Sequence, residues 1–409
     1  MNSRENAFLI LENSEKEKLF VNLALKNMLK CEDKREKAFV TEIVYGVMRY
    51  RSRLDYAIGC FCDVKNSKVK NILRVGVYQL LYMSKVPASA ACSETVKLCK
   101  KYAKSFCGMT NAVMRKISTV KIDFPDTVEM EYSFPSEIVD TIKRSVGNEA
   151  LASVLKALNT NKGLSARVNK LKASEEEFEK ILEERNIEYE KNEDCYRIKK
   201  AGDSLNEAFE KGIFTWQGAA SVKTAKLLNP HKGERILDLC AAPGGKSCMM
   251  AQLMENEGEI IACDLHEHRT HLIENTAKRL GVKIITARCN DASVYNDDLG
   301  TFDKVLADVP CSGLGIIAKK PDIKWAKHDF DSLAALQYKI LKNAVSYTND
   351  NGYIVYSTCT VNKTENENVV KRLLNENKNI VMDSDFITIY PDDFNDGFFM
   401  CRLRKVNNG

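Results

Sequence analysis

The chain has 409 residues, 44% of them hydrophobic and 29% charged, with a net charge of +5. That length exceeds what a single hydrophobic core organises, so two or three domains are expected. The polar opening segment MNSRENAFLI lacks the apolar run of a secretory signal, and no stretch reaches the roughly 18 apolar residues of a membrane span, so a cytoplasmic protein with no membrane partner is expected. The 14 cysteines include no C-x-x-C pair and all five histidines lie at position 231 or beyond, which favours reduced thiols and speaks against structural zinc or another metal.

Charge is distributed unevenly. Residues 1–130 carry 23 Lys+Arg against 14 Asp+Glu, a net of +9, whereas the remainder carries 38 against 42. Between Arg49 and Lys116 the ratio is 14 to 3. A solvated charged surface would account for part of this excess. A partner rich in phosphate accounts for it better, because Lys and Arg contacts release condensed counterions.

Residues 1–120 read as helices, broken by a single proline, Pro87. Apolar residues recur at helical spacing in Phe20, Leu23, Leu25 and Leu29, and again in Ile72, Val75, Tyr78 and Leu81. Pro125 and Pro135 bracket the acidic, aromatic stretch DFPDTVEMEYSFP, which suits a linker, and residues 136–160 read as a further helix. Short alternating strands at 164–168 and 196–198 flank a charged helix, EEEFEKILEER, as in a small α+β element. From Arg235 onward strand, turn and helix alternate, the mark of a parallel sheet, with strands expected at 235–239, 259–264, 283–288, 304–308 and 353–357. The expected division is therefore a helical domain over 1–130, a small α+β domain over 136–215 and an α/β domain over 216–409.

The segment RILDLCAAPGGKS (235–247) places a small-residue loop between the first of these strands and a helix. Ala241, Ala242, Gly244 and Gly245 allow backbone N–H groups to approach a ligand closely. A P-loop would need glycine six residues before its lysine, where this chain has Cys240, and no G-x-G-x-x-G is present. Asp264 ends the next strand, where an acid can accept hydrogen bonds from both ribose hydroxyls, and Asp291 follows the third, placed to read an adenine edge. Two further turns carry cysteine. Asp308-Val309-Pro310-Cys311-Ser312-Gly313 follows the fourth strand and Ser357-Thr358-Cys359-Thr360 follows the fifth. Both fall at carboxyl ends of strands, the rim where open α/β sheets bind ligands, whereas most cysteines simply pack.

The motifs CAAPGGK, ADVPCSG, STCT and the closing DGFFMCRLRK, in this order and spacing, resemble those of the RsmB (Sun/Fmu) family of small-subunit ribosomal RNA cytosine-5 methyltransferases. In the N-terminal part, TEIVYGVMRYRSRLD, NILRVGVYQLLYMSKVPASAACSETV and NAVMRK resemble that family's NusB-like RNA-binding domain. The resemblance implies a Rossmann-like class I methyltransferase domain preceded by an all-α NusB-like domain and a small α+β linker domain. It implies S-adenosylmethionine as cofactor, held or bordered by Cys240, Ala241, Ala242, Pro243, Gly244, Gly245, Lys246, Asp264, Arg269, Asp291 and Asp308. It implies 16S ribosomal RNA, before full subunit assembly, as partner.

By the same resemblance Cys359 is the nucleophile and Cys311 supports breakdown of the adduct. A thiolate adding at C6 of cytosine makes C5 able to attack an activated methyl group, and Asp308 is the acid–base candidate near the ring nitrogen. Where the family shows Q-D-E-A-S ahead of the catalytic domain, this chain has Gln217-Gly218-Ala219-Ala220-Ser221, without the two acids. Two other readings remain open on the residues alone: a binding protein that retains the fold as scaffold, and the same chemistry directed at transfer RNA.

Overall fold

The structure is a computed structural model, which describes residues 2–17, 20–29, 33–193, 195–200 and 202–407. The chain forms two compact units. One comprises Met1–Lys143, Asn148–Asn159 and Lys319–Ala326, and the other Arg144–Gly147, Thr160–Ala318 and Lys327–Gly409.

The first unit is helical. Its helices include Ser3–Glu17, Val21–Met28, Lys34–Arg49, Arg51–Gly59, Ser67–Tyr82, Ala88–Tyr102 and Cys107–Thr119. Short polar side chains start two of them: Asp33 accepts from the amides of Arg35 and Glu36, and Asn66 from that of Val69. Ser67–Tyr82 is the central helix, with Ile72, Leu73, Val75, Val77 and Tyr78 all buried. The expected stripe on Val21–Met28 is displaced. Phe20 and Leu23 are exposed, and the buried face is Val21, Ala24 and Leu25, because the i, i+3, i+4 set of one face excludes Leu23.

Residues 125–135 are not a free linker. Val128–Tyr132 is a short helix, Phe134 is buried, and the Ser133 hydroxyl accepts from the Ser52 amide at 3.0 Å. Lys319–Ala326, although it follows Cys311 in sequence, belongs to the helical unit. Lys324 is buried there, donating to Arg49 O at 3.0 Å, Ser133 O at 3.1 Å and Asn159 Oδ1 at 2.7 Å. Burial, with repulsion from Arg49, holds this ammonium well below its ordinary pKa.

In the second unit a four-stranded antiparallel sheet, Leu164–Val168, Tyr189–Lys191, Tyr196–Ile198 and Phe214–Trp216, carries the helix Glu175–Glu184. A capping box of Ser174 and Glu177 starts that helix. The main sheet has eight strands. Arg235–Asp238 lies at its centre, paired in parallel with Glu259–Asp264 on one side and Phe302–Asp308 on the other. Ile285–Cys289 and Thr348–Thr358 extend it outward, again in parallel. Phe398–Lys405 then pairs antiparallel with Thr348–Thr358. The strand order reverses at Arg235–Asp238, which opens a crevice at the carboxyl edge. No helix among the described residues is long and apolar enough to cross a membrane.

One buried cation ties the helical unit together. Arg74 grips Asp55 with two hydrogen bonds, 2.7 and 2.8 Å, and reaches Asn71 Oδ1 at 2.7 Å. Arg74→Leu removes both of these bonds to Asp55, leaving it Lys70 Nζ at 3.5 Å, and should cost about 3 kcal/mol. Calorimetry should show a lowered transition for the helical unit, and an unchanged transition would mean that the pair is screened by solvent.

Candidate active site

Three apolar runs of the main sheet end in aspartate: Asp238, Asp264 and Asp308 close neighbouring strands. The loop after the first strand is pinned to its neighbours, Leu239 N donating to Leu306 O at 3.0 Å and Ala241 N to Cys263 O at 2.8 Å. It turns at Gly244, whose φ is +100° and where a Cβ would lie 3.2 Å from the Ile273 Cα, so glycine alone is comfortable there. The helix Gly245–Leu253 starts at that point. Asp264 is buried and holds the loop from the adjacent strand. Its Oδ2 accepts from Ala242 N at 3.3 Å, while Arg269 pairs with its Oδ1 at 3.1 Å and donates to Ala242 O at 3.3 Å. Asp291 sits beyond the third strand with its Oδ1 accepting from the amide and hydroxyl of Ser293, at 2.9 and 2.7 Å.

Asp308 lies between two donors, Lys246 Nζ at 2.6 Å and Ser357 Oγ at 2.7 Å. Burial works against the Lys246 ammonium, but the charge of Asp308 outweighs it and the pKa is raised. Lys246 therefore stays charged, and both Asp308 oxygens act as acceptors. Behind this pair Asp238 is buried, with Ser247 Oγ donating to its Oδ2 at 2.6 Å and its Oδ1 lacking a partner. Burial, reinforced by the charge of Asp308, pushes the Asp238 carboxyl up to about 7. Burial likewise holds the Cys240 thiol well above its ordinary value, so that it remains protonated.

Cys311 and Cys359 are 48 residues apart in sequence, and their sulfurs lie 3.2 Å from each other. The hydrogen bond to Cys359, followed by burial, raises the Cys311 thiol well above its ordinary value. A cavity of about 240 Å³ opens at the Lys246–Asp308 pair, lined also by Trp216, Gln217, Ser221, Asp238, residues 240–243 and Gly245. A small-residue cradle, an unpartnered acidic oxygen and a second acid suit a ligand that carries both an ammonium and a sulfonium charge. S-adenosylmethionine has both.

Residues 225–404 match the family described as 16S rRNA methyltransferase RsmB/F, and residues 1–119 match the NusB family. A protein of Bacillus subtilis (strain 168) named "Probable ribosomal RNA small subunit methyltransferase B" is 33% identical, with 98% of each chain covered. The chain belongs to the RsmB/F methyltransferase family. The ribosomal RNA small subunit methyltransferase B of Shigella sonnei is 31% identical over 91% of each chain. Among solved structures, that of PH0851 covers 99% of this chain and 98% of its own at a TM-score of 0.84 and 26% identity. NSun6 from Pyrococcus horikoshii, solved with SFG, covers 67% of this chain and 99% of its own at a TM-score of 0.59 and 25% identity. The helical NusB-type domain and the Rossmann-like methyltransferase sheet expected from the motifs are thus those of the family.

In this RsmB/F protein the expected residues assemble unequally. The 240–246 loop, Asp264, Arg269 and Asp308 form one continuous hydrogen-bonded rim, and Cys311 and Cys359 meet beside it. Asp291 stands apart, bonded within its own turn. Three residues of the site were missed. Asp238 was legible as the third apolar run ending in Asp. Gln217 lines the cavity, accepting from Arg167 Nε at 2.7 Å and donating to Ser221 Oγ at 3.2 Å. Glu365, described below, offered no signal of its own.

If the cofactor ammonium binds ionised Asp238, affinity must fall as pH drops through about 7, where that carboxyl takes up its proton. Calorimetric titration should show S-adenosylmethionine binding about tenfold more weakly at pH 6 than at pH 8, a step that Asp238→Asn abolishes. An identical step in Asp238→Asn would place the titrating group elsewhere.

Proposed function

We propose that the chain methylates C5 of a cytidine in 16S ribosomal RNA, with Cys359 as covalent nucleophile. The observation that carries this reading is the pair of thiols 3.2 Å apart on adjacent strand ends, next to the Lys246–Asp308 pair and the acidic cavity. A hydrolase or a scaffold has no use for two such thiols on a ligand rim. Family membership and the NusB match over residues 1–119 favour ribosomal over transfer RNA.

The residues divide the work. Residues 240–246 and Asp264 would hold S-adenosylmethionine, Asp238 would take its ammonium, and Asp291 its adenine edge. The cofactor, when bound, supplies an activated methyl group. Cys359 as thiolate forms a bond to C6, the C5–C6 double bond opens, and its electron pair makes C5 the nucleophile. Asp308 is the acid–base group for the ring nitrogen, and Lys246, bonded to it at 2.6 Å, holds it in place. Solvent water then takes the C5 proton, the C–H electron pair re-forms the C5–C6 double bond, and the C6–S bond breaks with its pair returning to Cys359. Cys311, hydrogen-bonded to the departing sulfur, steadies it as a thiolate. The helical unit, with the +9 excess over residues 1–130, supplies the contacts to RNA phosphates.

Bisulfite sequencing of ribosomal RNA from cells with and without the protein should reveal one cytidine whose protection disappears with it. Complementation with Cys359→Ala should leave that position unprotected, while Cys311→Ala should accumulate a protein–RNA adduct that survives a denaturing gel. An adduct that forms in Cys359→Ala and requires Cys311 would reverse the two roles.

A further inference from the structure

Six residues beyond Cys359 lies Glu365, whose side chain is fully buried. A carboxylate removed from water is costly unless its oxygens are satisfied. Here they are. Oε2 accepts from the Ser312 amide at 2.7 Å and Gln337 Nε2 at 3.1 Å. Oε1 accepts from Ser312 Oγ at 2.6 Å and Asn362 Nδ2 at 3.1 Å. All four donors are uncharged, so the negative charge is not neutralised by an ion pair within this shell. Ser312 directly follows Cys311, and Asn362 belongs to the turn that follows Cys359. Thr360 adds a further link between the turns, its Oγ1 lying 2.9 Å from Ser312 Oγ. Gln337 also donates to Pro310 O at 3.0 Å, and Tyr356 OH donates to the Glu365 carbonyl at 2.6 Å.

We infer that Glu365 is a positioning residue that clamps the Cys311 turn to the Cys359 turn and keeps the proton shared by the two thiols on Cys311. Two sulfurs at 3.2 Å with one proton between them form a thiol–thiolate pair, and the surrounding charges decide which sulfur is the anion. The ionisable groups that act on Cys311 are Cys359 and Glu365, with Tyr356 alongside. The cation within electrostatic reach of Cys359 is Lys246, which also holds Asp308. On the Cys359 side the charge of Lys246 is offset by Asp308, so the Glu365 carboxylate on the Cys311 side makes the difference and places the anion on Cys359. A purely structural carboxylate would need only to accept four hydrogen bonds. Its charge then has a second consequence, selecting between two chemically identical nucleophiles.

The inference rests on the covalent reading for its purpose, but its test uses neither RNA nor methyl transfer, so the two fail separately. The full-length protein is alkylated with iodoacetamide from pH 6 to pH 10 and each cysteine is followed by peptide mass spectrometry. Alkylation joins the thiolate sulfur to carbon and expels iodide, so its pH profile reports the thiolate. The exposed Cys60 and Cys289 serve as internal references. In the parent protein Cys359 should react at least tenfold faster than Cys311 at pH 7.5. In Glu365→Gln that preference should fall at least fivefold and the Cys311 profile should move to lower pH, with S-adenosylmethionine affinity kept within twofold. An unchanged preference in a Glu365→Gln protein that still binds cofactor overturns the inference. Should Glu365→Gln fail to fold, Cys359→Ser decides with Glu365 intact. Cys311 should then still titrate above Cys60 and Cys289, and a Cys311 profile matching theirs overturns the inference equally.

Discussion

The site depends on one pairing, the parallel register of Phe302–Asp308 with Thr348–Thr358. It sets Asp308 opposite Ser357 and joins them through a 2.7 Å hydrogen bond. Three residues past the one and two past the other, the chain turns away from the sheet, and there the two cysteines meet. A slip of one residue would turn Ser357 to the other face and separate the sulfurs. Backbone contacts from outside the sheet help to lock this register. Gly315 N donates to Cys359 O at 3.0 Å, and Gly397 N donates to Gly315 O at 2.8 Å. A Cβ on Gly315 would lie 2.0 Å from the Gly397 carbonyl oxygen, so this three-way contact excludes every other residue.

Buried charge is used differently in the two units. In the helical unit it is structural: Arg74 is met by carboxylates, and Lys324 by two carbonyls and an amide oxygen. At the strand ends of the sheet the charges are held close to balance. Lys246 and Asp308 form an ion pair, Asp238 titrates near neutrality, and Glu365 accepts hydrogen bonds from four neutral donors. A rim of this kind can accept a cationic ligand and still discriminate between two thiols. An apolar rim of the same shape could do neither, because desolvation without partners would leave every acid protonated.

The sequence carried most of the elements because their signals are local. Apolar runs and small-residue turns mark the parallel strands, and the expected 259–264 strand coincides with Glu259–Asp264. Strand ends were less legible. Thr348–Thr358 begins five residues before the expected 353, since Thr348 pairs with Phe302 across an irregular register that no local pattern encodes. The proline-bracketed stretch at 125–135 misled for the same reason. Its composition suits a linker, but Phe134 found a buried place and Ser133 found two donors, the Ser52 amide and Lys324 Nζ, far along the chain.

What the sequence determined by itself was the order of helices, then strand–turn–helix units, the glycine-bearing loop at 240–246, and the two cysteine turns, because each depends on residues within a few positions. What only the tertiary structure decided was which of these touch. It brought Cys311 to 3.2 Å from Cys359, closed Asp308 between Lys246 and Ser357, and drew Lys319–Ala326 into the helical unit. It also gave Glu365 its meaning. In the sequence Glu365 is one acid among 56 Asp and Glu residues. Burial changed that, because a charge removed from water acts on its neighbours with a strength that depends on distance and dielectric, and neither is written in the order of residues.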